Sequence, residues 1–224
     1  MLRRVATLIV VAATALAMTA APALAGSMSL YKQSSRAAQT FWIQVDGIPT
    51  GSSPLGNVHV GDLFVYQTSP GQGDVFAFID DFDCEPGKLP GGGGHGFEEE
   101  EEEPSGCEYV GSRVAEGSGL TFTIDRKLTT ARLTGQLTVY GGGHGDGGVI
   151  GTPNADITWT GVGPLIKQSS TWTYNDGTTT YSDRYRSTDR NAVMSGTLGP
   201  MGFDPELSGG QISKFSSMSK SRTR

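Results

Sequence analysis

The chain of 224 residues is acidic, with a formal net charge of −6. A chain of this balance is a poor candidate for nucleic-acid binding, because no basic patch is available to release counterions from phosphates. Its 33 glycines and its few helix-forming runs favour strands and turns, and its length is compatible with one domain.

Residues 1–25 have the features of a cleaved signal peptide. Arg3 and Arg4 form a positive n-region, residues 5–17 form a short apolar h-region, and residues 23–25 (Ala-Leu-Ala) match the small-x-small cleavage pattern. Because this segment contains two arginines and no acid, its removal lowers the net charge from −6 to −8. We expect a secreted, extracellular protein that begins near Gly26 and has no stable membrane anchor.

Short strands are predicted along most of the mature chain. A polar lead-in at 27–36 is expected to be poorly fixed, and strands are then predicted at 39–45, 58–67, 75–84 and 107–115, in the pair within 120–140, and at 155–160, 170–174, 178–186 and 191–198. The pair is the clearest signal, because Leu120, Phe122 and Ile124 alternate with polar residues and the alternation resumes up to Val139.

These segments predict an all-β fold of about nine or ten strands. Asn175-Asp176-Gly177 is a hairpin signal, and no helix is indicated after the signal peptide. The fold class is a single antiparallel β-barrel or β-sandwich, between which periodicity does not choose. We place this domain at 26–215 and a frayed polar tail at 216–224.

The two cysteines, Cys84 and Cys107, are predicted to form a disulfide. An isolated pair in an exported protein is most simply a structural bridge, and the spacing is not that of a Cys-x-x-Cys redox motif. The pair would enclose the loop 85–106, which holds four consecutive glycines and six consecutive glutamates. Like-charge repulsion and glycine indicate a solvated, mobile acidic loop.

Two Gly-His loops are the candidate metal ligands. His95 lies beside the glutamate run, and His144 lies in Gly143-His144-Gly145-Asp146. Imidazole and carboxylate groups together can bind zinc or copper, so a divalent metal is one reading of this pattern. We favour the other reading, in which both loops are solvated spacers and the protein has no cofactor.

Catalytic motifs are weak in this sequence. His59 lies within a predicted strand, where a hydrogen-bonded structural histidine is favoured over a base. Carboxylates that could form a catalytic pair are present, but nothing in the sequence selects two of them; they are Asp80, Asp81, Asp83, Asp156 and Asp183. A secreted hydrolase using carboxylates or a weak metal site is therefore the alternative to a protein without catalysis.

Aromatic residues in the last third of the chain are candidate ligand-facing side chains: Trp159, Trp172, Tyr174, Tyr181 and Tyr185. On an exposed face they could stack on sugars or other small ligands, but we favour core packing and cross-strand pairing, which is the commoner role of strand aromatics. In the strand 178–186, Tyr181 and Tyr185 fall on one face, and Arg184 and Arg186 fall on the other.

The second half of the chain resembles a group of uncharacterised secreted all-β proteins of actinobacterial type. The resemblance is carried by 120–140, 156–161, 174–177 and 195–199. It implies export and a strand-rich fold, and it carries no assigned activity. Our first hypothesis is a non-catalytic extracellular binding or envelope-associated protein. Its partner is unknown, and carbohydrate or a cell-envelope component is the candidate.

Overall fold

The computed structural model describes residues 28–45, 56–90, 106–142 and 147–223, and over these ranges the fold is all-β, as predicted. No helix in these ranges is long and apolar enough to cross a membrane. The strands are β1 (Met28–Val45), β2 (Val58–Ser69), β3 (Gln72–Cys84), β4 (Cys107–Ile124), β5 (Thr130–Gln136), β6 (Thr138–Gly141), β7 (Val149–Gly151), β8 (Asn154–Asn175), β9 (Thr179–Leu198), β10 (Met201–Phe203) and β11 (Ser208–Thr223), with a 3-10 turn at Pro205–Leu207.

Eight of these strands close into an antiparallel barrel. The ring runs β1–β2–β3–β4–β5–β8–β9–β11 and returns to β1. The strand β4 closes the ring, because its first part pairs with β3 and its last four residues pair with β5. The remaining short strands lie beside this ring, with β6 on β4, β7 on β6 and β10 on β9.

The barrel interior is filled by large side chains. Trp42 packs edge-to-face on Phe203 with ring centroids 5.0 Å apart, and Phe122 packs on Trp159 at 6.3 Å. The Trp159 indole N–H donates to Thr40 Oγ1, which satisfies the one polar atom of that ring. An eight-stranded barrel has an interior just wide enough for side chains to fill, and this chain fills it.

The turn between β4 and β5 closes one end of the barrel. Leu128 is buried in the core, although its φ of 55° is unfavourable for a residue with a Cβ. The Asp125 carboxylate holds this conformation by accepting hydrogen bonds from the backbone N–H and the hydroxyl of Thr129. Across the turn, the N–H of Gly161 donates to Thr129 O.

Four strands of the barrel continue past this closed end as a four-stranded extension of the same sheet. The β1 segment 28–36 pairs with β11 up to Arg222, β11 pairs with β9, and β9 pairs with the end of β8. We call this part the projecting sheet: 28–36, 166–175, 179–189 and 213–223. The structure contradicts the predictions of a poorly fixed lead-in at 27–36 and of a frayed tail at 216–224. Their described residues, 28–36 and 216–223, are strands that pair with each other.

The predicted disulfide is confirmed. Cys84 and Cys107 are register partners on β3 and β4 and are bonded across a sequence separation of 23. The backbone N–H of Glu85 donates to Gly106 O, and so the base of the acidic loop is fixed by both contacts. Residues 91–105, which hold the glutamate run, lie outside the described residues.

Removing the disulfide should destabilise the barrel. A cross-link over this separation lowers the entropy of the unfolded chain by an amount worth about 3 kcal/mol. We expect the Cys84→Ala/Cys107→Ala variant to lose about 3 kcal/mol of unfolding free energy in urea. The wild-type protein under reducing conditions should match the variant; equal stability of the oxidised and reduced wild type would contradict the prediction.

Gly161→Ala should weaken the closed end of the barrel. A Cβ at this position would lie 2.3 Å from Leu128 O, a backbone atom that the turn cannot easily move. We expect a loss of about 1–3 kcal/mol in urea unfolding. Gly209→Ala is the matched control, because a Cβ there meets nothing within 4 Å. Equal effects of the two substitutions would contradict this account.

Candidate functional site: a two-faced projecting sheet

Both faces of the projecting sheet are largely exposed. The alternation of side chains along the barrel strands determines which residues lie on each face. Side chains that are paired directly across antiparallel strands share a face, and this parity continues along each unbroken strand. Ala38, Ile212 and Arg190 form one row across three strands, and the first two are buried in the barrel interior. The face that continues the barrel interior therefore begins at this row, and the opposite face continues the barrel exterior.

A bulge marks the point where β8 leaves the barrel. Its register against β9 shifts between Val162 and Ile166, and Gly163 has a φ of 70°. Arg190 Nε donates to Gly163 O at 3.1 Å, which satisfies a carbonyl within the bulge. The bulge changes the register of β8, while β9 and β11 run without interruption from the barrel to the projecting sheet.

The face that continues the barrel exterior carries a row of exposed rings. Trp172 and Tyr174 are stacked with centroids 5.8 Å apart and planes within 6°, and Tyr174 stacks on Tyr181 at 6.4 Å. Serines occupy many of the positions between the rings. We call this surface the aromatic face; its aromatic members, assigned by register, are Tyr31, Trp172, Tyr174, Tyr181, Tyr185 and Phe215.

Four of the five aromatics that the sequence selected are exposed on this face. The fifth, Trp159, is fully buried in the barrel, so its prediction as a ligand-facing side chain is wrong. Sequence reasoning missed Tyr31 and Phe215, because both lie in the segments it treated as lead-in and domain end. Tyr31 on β1 is opposite Ser219 on β11, and Phe215 on β11 is opposite Ser187 on β9, so the strand register is what places both rings on this face.

The opposite face is basic. Nine of the 17 lysines and arginines of the chain lie on it, and none of its described side chains is acidic or aromatic. We call this surface the basic face; its cations are Lys32, Arg36, Lys167, Arg184, Arg186, Arg190, Lys214, Lys220 and Arg222. The expected placement of Arg184 and Arg186 opposite the tyrosines is confirmed, whereas the premise that the chain has no basic patch is wrong.

An open hollow of about 470 Å³ lies in the projecting sheet beside these cations. Its lining includes Lys32, Ser34, Arg184, Arg186 and Ser216. None of the nine cations forms a salt bridge within the part of the chain that the structure describes. Arg36 and Arg190 donate to the backbone carbonyls of Ile124 and Gly163, so the cations open to an anion are chiefly the other seven.

The predicted hairpin at Asn175-Asp176-Gly177 closes the tip of the projecting sheet. The Asp176 carboxylate accepts N–H bonds from Thr179 at 2.6 Å and from Thr178 at 2.9 Å. These bonds favour the ionised form, and they lower the pKa of Asp176 below its ordinary value of 3.8. Gly177 supplies the φ of 94° that the turn requires.

A buried polar cluster lies inside the barrel, on β2, β3 and β4. His59 Nδ1 lies 2.7 Å from Asp81 Oδ1, while Arg113 donates from Nε to Asp81 Oδ2 at 2.8 Å and from Nη2 to Oδ1 at 2.5 Å. Both carboxylate oxygens are occupied, and a forked arginine contact neutralises the buried charge. His59 also has a further partner, so it fits the structural role that the sequence favoured.

Two of the other candidate acids lie away from this cluster. Asp156 lies on β8 and is paired with Arg132 through two exposed hydrogen bonds of 2.9 and 3.0 Å, and Asp183 lies on the aromatic face. In the described ranges no three His, Cys, Asp or Glu side chains are grouped to hold a metal ion. His95 and His144 lie outside the described residues, and their role as metal ligands stays a prediction.

Comparison with known proteins adds no relative to this description. No protein-family model, no curated protein and no solved structure matches the chain significantly. The chemistry of the two faces is therefore the basis for assigning a function.

The hairpin tip should lose order in acid below the ordinary pKa of an aspartate. Because the folded-state pKa of Asp176 is lowered, its contribution is present above about pH 3.9 and is lost as the pH falls through the folded value. We expect the amide resonances of Thr178 and Thr179 to shift with a midpoint below that pH. Asp176→Asn should abolish this titration; a midpoint above pH 4 would contradict it.

Proposed function

We propose that this chain is an exported, non-catalytic protein that binds carbohydrate of the cell envelope through its aromatic face. The carrying observation is the row of exposed rings at Trp172, Tyr174 and Tyr181. Exposed rings held parallel on a sheet offer apolar surfaces for the C–H faces of sugar rings. Soluble proteins rarely expose so many neighbouring aromatic side chains on one surface unless that surface binds a partner or a ligand.

The polar groups around the rings fit the same ligand. Trp172 is the register partner of Asp183, and Tyr185 lies between Ser170 and Ser217 in its row. A carboxylate accepts, and serine hydroxyls donate and accept, the hydrogen bonds that sugar hydroxyls require. Sugar binding thus needs no metal or other cofactor at this face.

Export of the protein would bring it to a ligand in the cell envelope. The chain contains a disulfide, and disulfides persist in oxidising compartments outside the cytoplasm. Together with the signal-peptide pattern of residues 1–25, this favours an extracellular protein that meets glycans of the cell envelope.

The alternative of a secreted hydrolase has less support. Among the described residues, the arrangement closest to a catalytic one is His59 with Asp81 and Arg113, and it is buried and internally satisfied. Of the other candidate acids, Asp156 is paired with Arg132 on the surface and Asp183 lies on the projecting sheet, so neither belongs to that cluster.

Intrinsic fluorescence provides a selective test. Of the three tryptophans, Trp42 and Trp159 are buried and Trp172 is 56% exposed, so quenching by acrylamide reports mainly on Trp172. We expect a soluble neutral glycan such as mannan or dextran to protect Trp172 from the quencher. Protection by none of a panel of neutral glycans would contradict the proposal.

Trp172→Ala should weaken glycan binding about tenfold, which corresponds to about 1.4 kcal/mol. Affinity is measured by calorimetry, and urea unfolding should remain within about 0.5 kcal/mol of wild type because the ring is on the surface. Tyr109→Ala is the matched control, since Tyr109 is also 56% exposed but lies on β4, outside the projecting sheet. An equal loss in the control variant would exclude a specific role for the aromatic face.

A further inference from the structure

The basic face carries a high density of positive charge, although the net charge of the whole chain is negative. The protein is acidic overall, yet nine cations from four strands share one surface that contains no acid among its described residues. The strands that carry them are about 4.8 Å apart, so the cations form a two-dimensional array and not a single line. Such an array raises the local concentration of anions.

This arrangement carries an energetic cost to the fold. Arg36 and Lys214 are directly opposite on β1 and β11, and like charges in that position destabilise a sheet. Arg184 and Arg186 repeat the charge along β9. No described acid relieves this repulsion through a salt bridge with any of them. A bound polyanion would relieve it.

The shape and composition of the face select the kind of anion. The hollow is open and the cations extend from Lys214 near the barrel to Arg222 near the tip, which suits an extended polymer more than a small ion. Bases of single-stranded nucleic acid bind aromatic platforms, and this face has none. Between the cations lie hydroxyl side chains, including Ser34, Ser182 and Ser216, which can hydrogen-bond to sugar hydroxyls.

We propose that the basic face binds an anionic polysaccharide, a sugar polymer bearing carboxylate or phosphate groups. The basic face is the opposite surface of the same sheet, so binding there does not require the aromatic face. With both faces occupied, the projecting sheet would lie between two polymers, one neutral and one anionic.

Polygalacturonate, a carboxylate-bearing glycan, is the probe, and neutral dextran is its uncharged counterpart. We expect the full mature protein to bind polygalacturonate at low salt, with an affinity that falls as salt is added. Arg184→Gln/Arg186→Gln should weaken binding roughly 10- to 50-fold and reduce the slope of log Kd against log salt by about one to two units.

The control variant removes the same number of positive charges from outside the basic face. Lys88→Gln/Arg132→Gln also deletes two cations, neither of which lies on the basic face, and it should bind polygalacturonate as wild type does. Trp172→Ala should also retain this binding, which separates the inference from the proposed function. Unfolding in urea should show the Arg184→Gln/Arg186→Gln variant to be at least as stable as wild type, since repulsion is removed.

Three results would overturn the inference. The first is equal weakening in both charge variants, which would show an effect of net charge alone. The second is a lack of polygalacturonate binding at low salt. The third is stronger binding to oligodeoxythymidine or to phosphatidylglycerol vesicles than to polygalacturonate, with the same dependence on Arg184 and Arg186, which would reassign the face to nucleic acid or to a lipid surface.

Discussion

The alternation of side chains along β1, β9 and β11 is the constraint on which the rest of the structure depends. These strands run without a register break from the barrel into the projecting sheet. Residues at one parity fill the barrel with apolar groups, as Ala38 and Ile212 do, and the same parity beyond the barrel holds the cations. Since side chains alternate with a period of two, the opposite parity must face outward, and it carries the rings and serines.

The two parts of the molecule are stabilised in different ways. The barrel buries Trp42, Phe122 and Trp159, and the one interior charge cluster that the structure describes is satisfied by the forked contact of Arg113 with Asp81. The projecting sheet has no comparable interior, since both its faces are largely exposed. Its strands are held by long ladders and by the hairpin tip around Asp176. Ligand binding to this sheet, as proposed, would therefore leave the packing of the barrel core unchanged.

The sequence predicted the barrel better than it predicted the candidate site. Leu120, Phe122 and Ile124 alternate with polar residues, and burial of one face is the origin of that signal. The segments 28–36 and 213–223 lack it, because a strand exposed on both faces is under no requirement to alternate apolar and polar residues. The cations were missed for a different reason: they are spread over four segments between Lys32 and Arg222, and only the register brings them together.

The continuity of the strands also determines how the molecule would respond to mechanical force. A polymer that pulls on the tip of the projecting sheet pulls along the axes of strands that belong to the barrel as well. Many ladder hydrogen bonds between β9 and β11 would then be strained together in shear, and not broken one after another as in the opening of a zipper. In β1, β9 and β11 no linker separates the proposed binding surfaces from the core. A sheet built in this way would transmit tension between attached polymers directly to a disulfide-bridged barrel.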